Sequence, residues 1–461
     1  LTNDRTEAWL RMQEEVEPAA PRTPAAASMS AAPDSASVAS VAAGTPPATA
    51  VAPAASTLLS GVTAPAQPVL GARGLLVFLA LLSAFGPLST DLYLPSLPAM
   101  TGYFGVAESL VNLTLIVFFV CFALSSLVWG PLSDKYGRRP IVLTGFSLYA
   151  VASLGCAASA DVYQLILFRA LQAIGGGAGT VAGTAIVKDV YRGRRRENTL
   201  AIVQSMVLIA PAVAPAIGAG LLTWTSWRGV FVTQAAIGAL VVAGAVVFRE
   251  TIESRRSGGV AQALGRLVAV ARNPAFTTFL AIFALTGIAL MSFIGGSSYI
   301  YQDEFGLSSG AFSLFFAFNA LAMLSGPLLY VFIGPRFPRF VIVTACFGTM
   351  ALSGAAVVAF GETGPFVFAP LLVPATIANA CSRPPGVYLM LSEAESDAGS
   401  ASALISSYTM IMGSVGITLV SLIPGPLVHV VGSLNLFVGV VCLVAWLVAT
   451  RLPLLAAARA E

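Results

Sequence analysis

Two ionisable residues sit where an apolar sequence least tolerates them. Asp91, in Phe85-Gly-Pro-Leu-Ser-Thr-Asp-Leu-Tyr-Leu-Pro-Ser-Leu-Pro98, is the only acid between Arg73 and Glu108. Arg169 lies in a second apolar run, within Phe168-Arg-Ala-Leu-Gln-Ala-Ile-Gly175. A carboxylate inside such a run is expensive unless it is paired or faces water, which makes it a functional candidate by default. A charge of opposite sign in another span is the partner such a carboxylate needs, and Arg169 offers one. Enzymatic chemistry has little else to work with. No nucleophile–base set or metal cluster emerges, and the chain is read as a non-enzyme. Its five Cys (121, 156, 346, 381 and 442) are scattered, no CxxC occurs, and a single His leaves no zinc site. Gly175-Gly-Gly-Ala-Gly179 is not a nucleotide loop. Gly175, Gly179 and Gly183 recur every four residues, as on a helix-packing face, and neither a Rossmann context nor a Walker motif is present.

The elements that must hold these residues are membrane spans. The 461 residues are 57% apolar and 10% charged, against about a quarter charged in soluble proteins. The net charge of +3 is too small for a general polyanion surface, so nucleic acid is not an expected partner. From Gly74 onward, apolar runs of the length needed to cross a bilayer alternate with short polar breaks. They predict an all-α membrane protein with helices near 74–97, 108–130, 141–160, 162–187, 199–222 and 228–248. Six more are predicted near 276–299, 310–333, 340–360, 365–390, 400–423 and 430–450. The domains follow: an Ala/Pro/Ser/Thr-rich tail over 1–72, expected to be disordered; a six-helix bundle over 73–248; and a linker over 249–275. A second six-helix bundle over 276–451 and a tail over 452–461 complete the chain. The chain starts at Leu1, so translation is expected to begin at an alternative codon or downstream, at Met12 or Met29.

Lys and Arg set the orientation. Lys135, Arg138 and Arg139 lie in break 2–3, Lys188, Arg192 and Arg194 to Arg196 in break 4–5, and Arg336 and Arg339 in break 8–9. The opposite breaks carry Asp161, Asp303, Glu304 and Glu362, with Arg228 as the clear cation. Both termini are therefore expected in the cytoplasm, with twelve spans. Arg139-Pro-Ile-Val-Leu-Thr144 and Arg339-Phe-Val-Ile-Val-Thr344 each open the third helix of a half, favouring two parallel repeats with a site between them. At 1.5 Å per residue, Asp91 lies about 26 Å from the cytoplasmic start of helix 1, and Arg169 about 10–12 Å from the outer start of helix 4. Both fall in the outer half of a core about 30 Å thick, so an Asp91–Arg169 pair is expected. The alternative is that Asp91 caps a helix end near the headgroups.

The most specific run is Gly130-Pro-Leu-Ser-Asp-Lys-Tyr-Gly-Arg-Arg-Pro140. Gly130 and Gly137 are expected to permit a tight reversal, with Arg138 and Arg139 in reach of Asp134. The run resembles, position by position, the loop 2–3 signature of the major facilitator superfamily. That resemblance implies two pseudo-symmetric six-helix bundles and a cytoplasmic latch in which Asp134 and Arg138 stabilise the outward-facing state. The equivalent Gly334-Pro-Arg-Phe-Pro-Arg339 has no acid, so the latch is expected to be asymmetric.

Ser-Thr-Asp-Leu-Tyr-Leu-Pro of helix 1 and Arg-x-x-Gln of helix 4 resemble the Bcr/CflA branch of twelve-span drug:proton antiporters. The resemblance implies that Asp91 and Arg169 couple transport to protons. Helix 5, Ala210-Pro-Ala-Val-Ala-Pro-Ala-Ile-Gly-Ala-Gly220, is similar to the family's antiporter motif through Pro211, Pro215 and Gly218, with Ala214 and Ala219 in place of glycines. Trp227-Arg-Gly-Val-Phe231 is another recurrent feature of that branch. Gln172, Tyr299, Asn319, Asn379 and Tyr408 are candidates for a substrate cavity, with packing and interfacial belts as the alternative. Arg383-Pro384-Pro385 leaves two options, an early end to helix 10 or an arginine reaching the cytoplasmic surface.

The expected function is proton-driven multidrug efflux, of the bicyclomycin and chloramphenicol resistance type, from a bacterial cytoplasmic membrane. No cofactor is expected beyond the proton gradient. The partners are a small amphipathic substrate, protons and the bilayer, with the chain working as a monomer. An importer or facilitator on the same fold, or a non-transporting membrane sensor or assembly partner, is the alternative.

Overall fold

The computed structural model describes residues 67, 69–252, 260–394 and 397–451. Of the expected tail over 1–72, residues 1–66 and 68 lie outside the described residues, as do Glu253, Arg255, Arg256 and the tail over 452–461, while Gly71 and Ala72 already belong to the first helix. Twelve described helices are long and apolar enough to cross a bilayer. The first six spans are Gly71–Phe104, Glu108–Tyr136, Arg138–Ala158, Val162–Val190, Gly193–Leu222 and Trp227–Val247. The second six are Pro274–Glu304, Ser309–Ile333, Arg339–Thr363, Pro365–Ser392, Ala398–Leu422 and Leu427–Ala449. Span 3 opens at Arg138, one residue before the repeat's Arg139, and span 9 opens at the repeat's Arg339.

Two sequence expectations are corrected. Span 2 does not end at Gly130 but continues as helix through Gly130 and Pro131 to Tyr136. The reversal falls on Gly137 alone, at φ 108°, and a side chain there would also strike the Glu250 carboxylate. Span 10 runs unbroken past Pro384 and Pro385 to Ser392. The linker is also partly helical, over Val260–Ala271, and Arg266 there pairs with Asp397 at 3.5 Å.

Span 1 is not one continuous helix. It runs as α-helix over Gly71–Asp91, turns through Leu92 and Tyr93, and resumes over Leu94–Ser96 and Leu97–Phe104. Proline explains the break, because Pro95 has no N–H to return to the carbonyl of Asp91. The next bonds shorten accordingly: Tyr93 N donates to Thr90 O, and Ser96 N to Tyr93 O. The carbonyls of Ser89 and Leu92 thus lose their regular helical partners inside the protein. Span 7, the pseudo-equivalent of span 1, is interrupted at Leu285 and closes in a wide turn over Ile300–Glu304.

Glycines bring the spans together. A side chain on Gly175 would meet the carbonyl of Gly145 at 2.4 Å, one on Gly179 the carbonyl of Leu82 at 2.8 Å, and one on Gly183 the hydroxyl of Ser83 at 2.8 Å. The glycine run is thus the packing face its four-residue spacing suggested.

The apolar core has three parts. One draws on both halves, from Leu94, Leu97, Leu115 and Phe231 of the first to Tyr301, Phe312, Ile417 and Val431 of the second. A second is built from the second half alone, around Phe279, Phe347 and Trp446, and a third from the first half alone, around Leu79, Phe146 and Val187. The shared core lies toward the face opposite break 2–3, and the separate cores lie toward the break 2–3 face. Four hydrogen bonds between the halves lie at the shared core. Ser298 Oγ donates to Leu94 O at 2.6 Å, Gln302 to Pro95 O at 3.2 Å, Ser313 Oγ to Pro215 O at 2.9 Å and Asn112 to Ser421 Oγ at 2.9 Å. Ser407 Oγ also donates to Ala123 O at 3.1 Å, tying spans 11 and 2 nearer mid-depth, so the halves share an apolar core at one end and keep separate apolar cores at the other.

Candidate functional site

The broken turn of span 1 is the centre of a buried polar network. The freed carbonyl of Ser89 accepts from Arg169 Nη1 at 3.1 Å and from Gln234 Nε2 at 3.1 Å. Arg169 Nη1 also donates to Gln172 Oε1 at 2.7 Å, and Gln172 Nε2 donates to Ser153 Oγ at 2.7 Å and Gln234 Oε1 at 2.8 Å. Ser89 Oγ pairs with the Tyr149 hydroxyl at 2.7 Å. Spans 1, 3, 4 and 6 are thereby tied through polar atoms where the surroundings are apolar, and such bonds are strong because water does not compete.

Among the described residues, no carboxylate pairs with Arg169. Its guanidinium is boxed by aromatic faces, with Phe118 centred 4.2 Å away, Tyr93 4.8 Å and Phe231 5.9 Å. Ring quadrupoles attract a desolvated cation, worth about 2 kcal/mol or more for a good contact. Its Nε and Nη2 remain without hydrogen-bond partners.

The expected Asp91–Arg169 ion pair is not formed. Asp91 is buried and accepts a hydrogen bond from Thr90 Oγ1 at 3.0 Å. Ser89 turns its hydroxyl toward Tyr149 of span 3, and Asp91, two residues on, sits about 200° further round the axis. Arg169 therefore reaches span 1 through the backbone of Ser89, not through the carboxylate. The depth arithmetic placed both residues in one layer but said nothing of azimuth.

Span 5 closes on the same turn. A side chain on Gly218 would lie 2.0 Å from Leu92 O, so only glycine admits this approach. Pro215, one turn earlier, lends its carbonyl to Ser313 of the other half. Pro211 is half-buried, inside the same unbroken helix.

The cavity candidates divide. Gln172 is wholly buried in the polar network. Asn319 accepts from Thr376 Oγ1 at 3.1 Å, and Asn379 Nδ2 donates to Thr286 O at 2.8 Å, beside the interruption of span 7. Asn379, Thr376, Phe293 and Asn435 line a small pocket in the second half. Tyr299 lines a different cavity of about 250 Å³ at the face opposite break 2–3, with Glu108, Asp303, Glu304 and Ser421. Glu304 there caps span 12 through Leu427 N and Val428 N. Tyr408 is exposed and enters none of these contacts.

At break 2–3, Arg138 is buried between two acids, Asp134 at 2.7 Å and Asp189 at 2.9 Å, and also donates to Ser133 Oγ. Glu250 accepts from the backbone N–H of Arg138 and of Arg139, both at 3.0 Å, placing a carboxylate on the positive end of span 3. Arg139 ties back to the carbonyls of Ala245 and Val246. In the matching break of the second half, Arg339 stacks on Tyr388 at 4.1 Å. These partners of Arg138 all belong to the first half. Replacing Arg138 with Gln leaves two carboxylates facing one another, and about 1–3 kcal/mol of stability is expected to go, less than for a fully buried pair because Asp134 is a third exposed. A drop in the thermal unfolding midpoint of the purified protein measures this; an unchanged midpoint would show the pair to be idle.

Sequence reasoning missed Gln234, Tyr149, Ser153, Asp189 and Glu250. Gln234 had a signal, a long amide in the apolar run Val230-Phe-Val-Thr-Gln-Ala-Ala236. Asp189 and Glu250 stand at span ends, where acids are ordinary, and had none.

Twelve crossings in two six-helix halves, joined at one end and holding a polar network inside, define a membrane transporter. Residues 75–417 match the profile of the Major Facilitator Superfamily, and the chain belongs to that family. It is similar to an uncharacterized MFS-type transporter, YdgK, of Bacillus subtilis (strain 168), at 29% identity over 73% of this chain and 86% of the relative. It is 33% identical to a chloramphenicol resistance protein of Pseudomonas aeruginosa over 53% of this chain and 59% of that protein. A crystal structure of the peptide transporter POT in complex with sulfate shares the fold, with a TM-score of 0.67 at 15% identity, covering 83% of this chain and 96% of that one.

Proposed function

We propose that the chain exports small amphipathic molecules in exchange for protons, as a drug:proton antiporter of the Bcr/CflA branch. It would lie in a bacterial cytoplasmic membrane with both termini inside. The observation that carries this reading is Asp91, a carboxyl buried at the broken turn of span 1 next to a cationic network that lacks its own acid. A proton arriving there changes the charge of a turn on which spans 1, 4, 5 and 6 converge. The chloramphenicol resistance relative supports the direction and the class of cargo. With break 2–3 in the cytoplasm, a shared core at the opposite face corresponds to an inward-facing conformation. Arg138 held within its own half fits the same state, since the latch is expected to act in the outward-facing one.

The test is a drug-susceptibility panel in an efflux-deficient host. Expression of the wild type is expected to raise tolerance to one or more amphipathic drugs, phenicols first, and Asp91→Asn to remove the gain. Tolerance unchanged across the panel, or drug accumulating in intact cells, would overturn the export reading in favour of an importer or a sensor.

A further inference from the structure

The fourth span of each half carries one arginine at membrane depth, and the reading above uses only Arg169. Arg383 sits on span 10 about 27 Å from the start of that helix and about 14 Å from its break 2–3 end. That is inside a hydrocarbon core about 30 Å thick. It shares a face of span 10 with Thr376 and Asn379, which are buried against spans 8 and 7, so its exposed side chain faces the interior of the bundle rather than lipid. No carboxylate among the described residues lies within ion-pair distance of it. A guanidinium at this depth with no counter-charge is costly unless water or an anion reaches it.

The neighbouring stripe shows what kind of group is missing. Thr376, Asn379 and Arg383 follow one another along one face of span 10, at helical spacing. Asn379 gives its amide to Thr286 O. Asn319 spends its oxygen on Thr376 and keeps a buried amide nitrogen with no acceptor. On this wall the unmet groups are donors, and one is permanently charged. A guanidinium presents a planar fork of N–H groups that fits carboxylate, sulfonate or phosphate oxygens in pairs.

We propose that Arg383 anchors an anionic group on the transported amphipathic molecule, with Asn379 about one turn further along span 10 and Asn319 bonded to Thr376 from span 8. The proposal rests on the reading that the space between the halves carries a solute, but binding at equilibrium needs no proton gradient. It is therefore scored apart from the coupling role of Asp91.

The experiment uses the full chain in phosphatidylcholine nanodiscs and a matched probe pair, naphthoate and its methyl ester, titrated by calorimetry. Wild type is expected to bind the acid more tightly than the ester. Arg383→Gln should weaken the acid by about tenfold or more and leave the ester unchanged, with Arg383→Lys in between. Asp91→Asn should keep acid binding even where transport is lost. No preference for the acid in wild type, or equal loss of both probes in Arg383→Gln, overturns the proposal. Added phosphatidylglycerol that displaces naphthoate from wild type would assign the anion to a lipid headgroup and overturn the substrate role.

Discussion

Asp91→Asn is expected to leave the protein folded and to abolish drug accumulation driven by a pH gradient in inverted vesicles. The amide nearly matches the carboxyl in size and can still accept the Thr90 hydroxyl, so packing at the broken turn is kept. It cannot carry a proton. One charge moved through about 100 mV is worth about 2.3 kcal/mol, and through roughly 150 mV about 3.5 kcal/mol. At 1.4 kcal/mol per decade this supports accumulation of a few hundredfold, which should fall to equilibration. Drug binding to the purified variant should stay within about threefold of wild type, separating lost coupling from lost recognition. Accumulation unchanged in the variant would refute the proton role of Asp91.

Gly218→Val is expected to be the most damaging apolar substitution in span 5. The first carbon of any side chain there would fall 2.0 Å from Leu92 O, and neither backbone can yield without moving the turn that holds Asp91. Overpacking of this kind costs about 1–3 kcal/mol, and here the strain falls on a backbone already broken by Pro95. Expected results are a lower yield of monodisperse protein and at least tenfold slower transport, with Gly218→Ala showing a milder form of both. Gly220→Ala is the control, because nothing lies within 4 Å of a side chain at that position. Equal behaviour of the Gly218 and Gly220 variants would show that the contact with Leu92 is not needed.

The helices were legible because a bilayer imposes a length and an apolar composition on each crossing. Those rules act on windows of sequence, so span ends near Arg138, Val162 and Leu222 came within a few residues. What sequence could not supply was direction around each axis. Asp91 and Arg169 were correctly placed at similar depth, yet the guanidinium meets a carbonyl and three rings instead of the acid. Pro95 falls inside the expected helix over 74–97, and that Gln234 and Arg169 would share the carbonyl of Ser89 at the break depends on spans far apart in sequence. Gly130 misled for a related reason. A Gly-Pro pair signals a turn in water, whereas inside a span neighbouring helices support the freed backbone and the helix continues.

The division of the apolar core has a thermal consequence. In the proposed exchange cycle, passage to the opposite conformation would part the shared core around Leu97, Tyr301 and Phe312 and close the break 2–3 ends of the two halves on one another. Wetting that apolar surface raises heat capacity, and removing other surface from water lowers it, so the step carries the difference between the two. If the shared core contributes the larger area, the rate of opening will curve with temperature rather than follow a single activation enthalpy. The protein would then sense temperature through the same residues that keep its two halves closed.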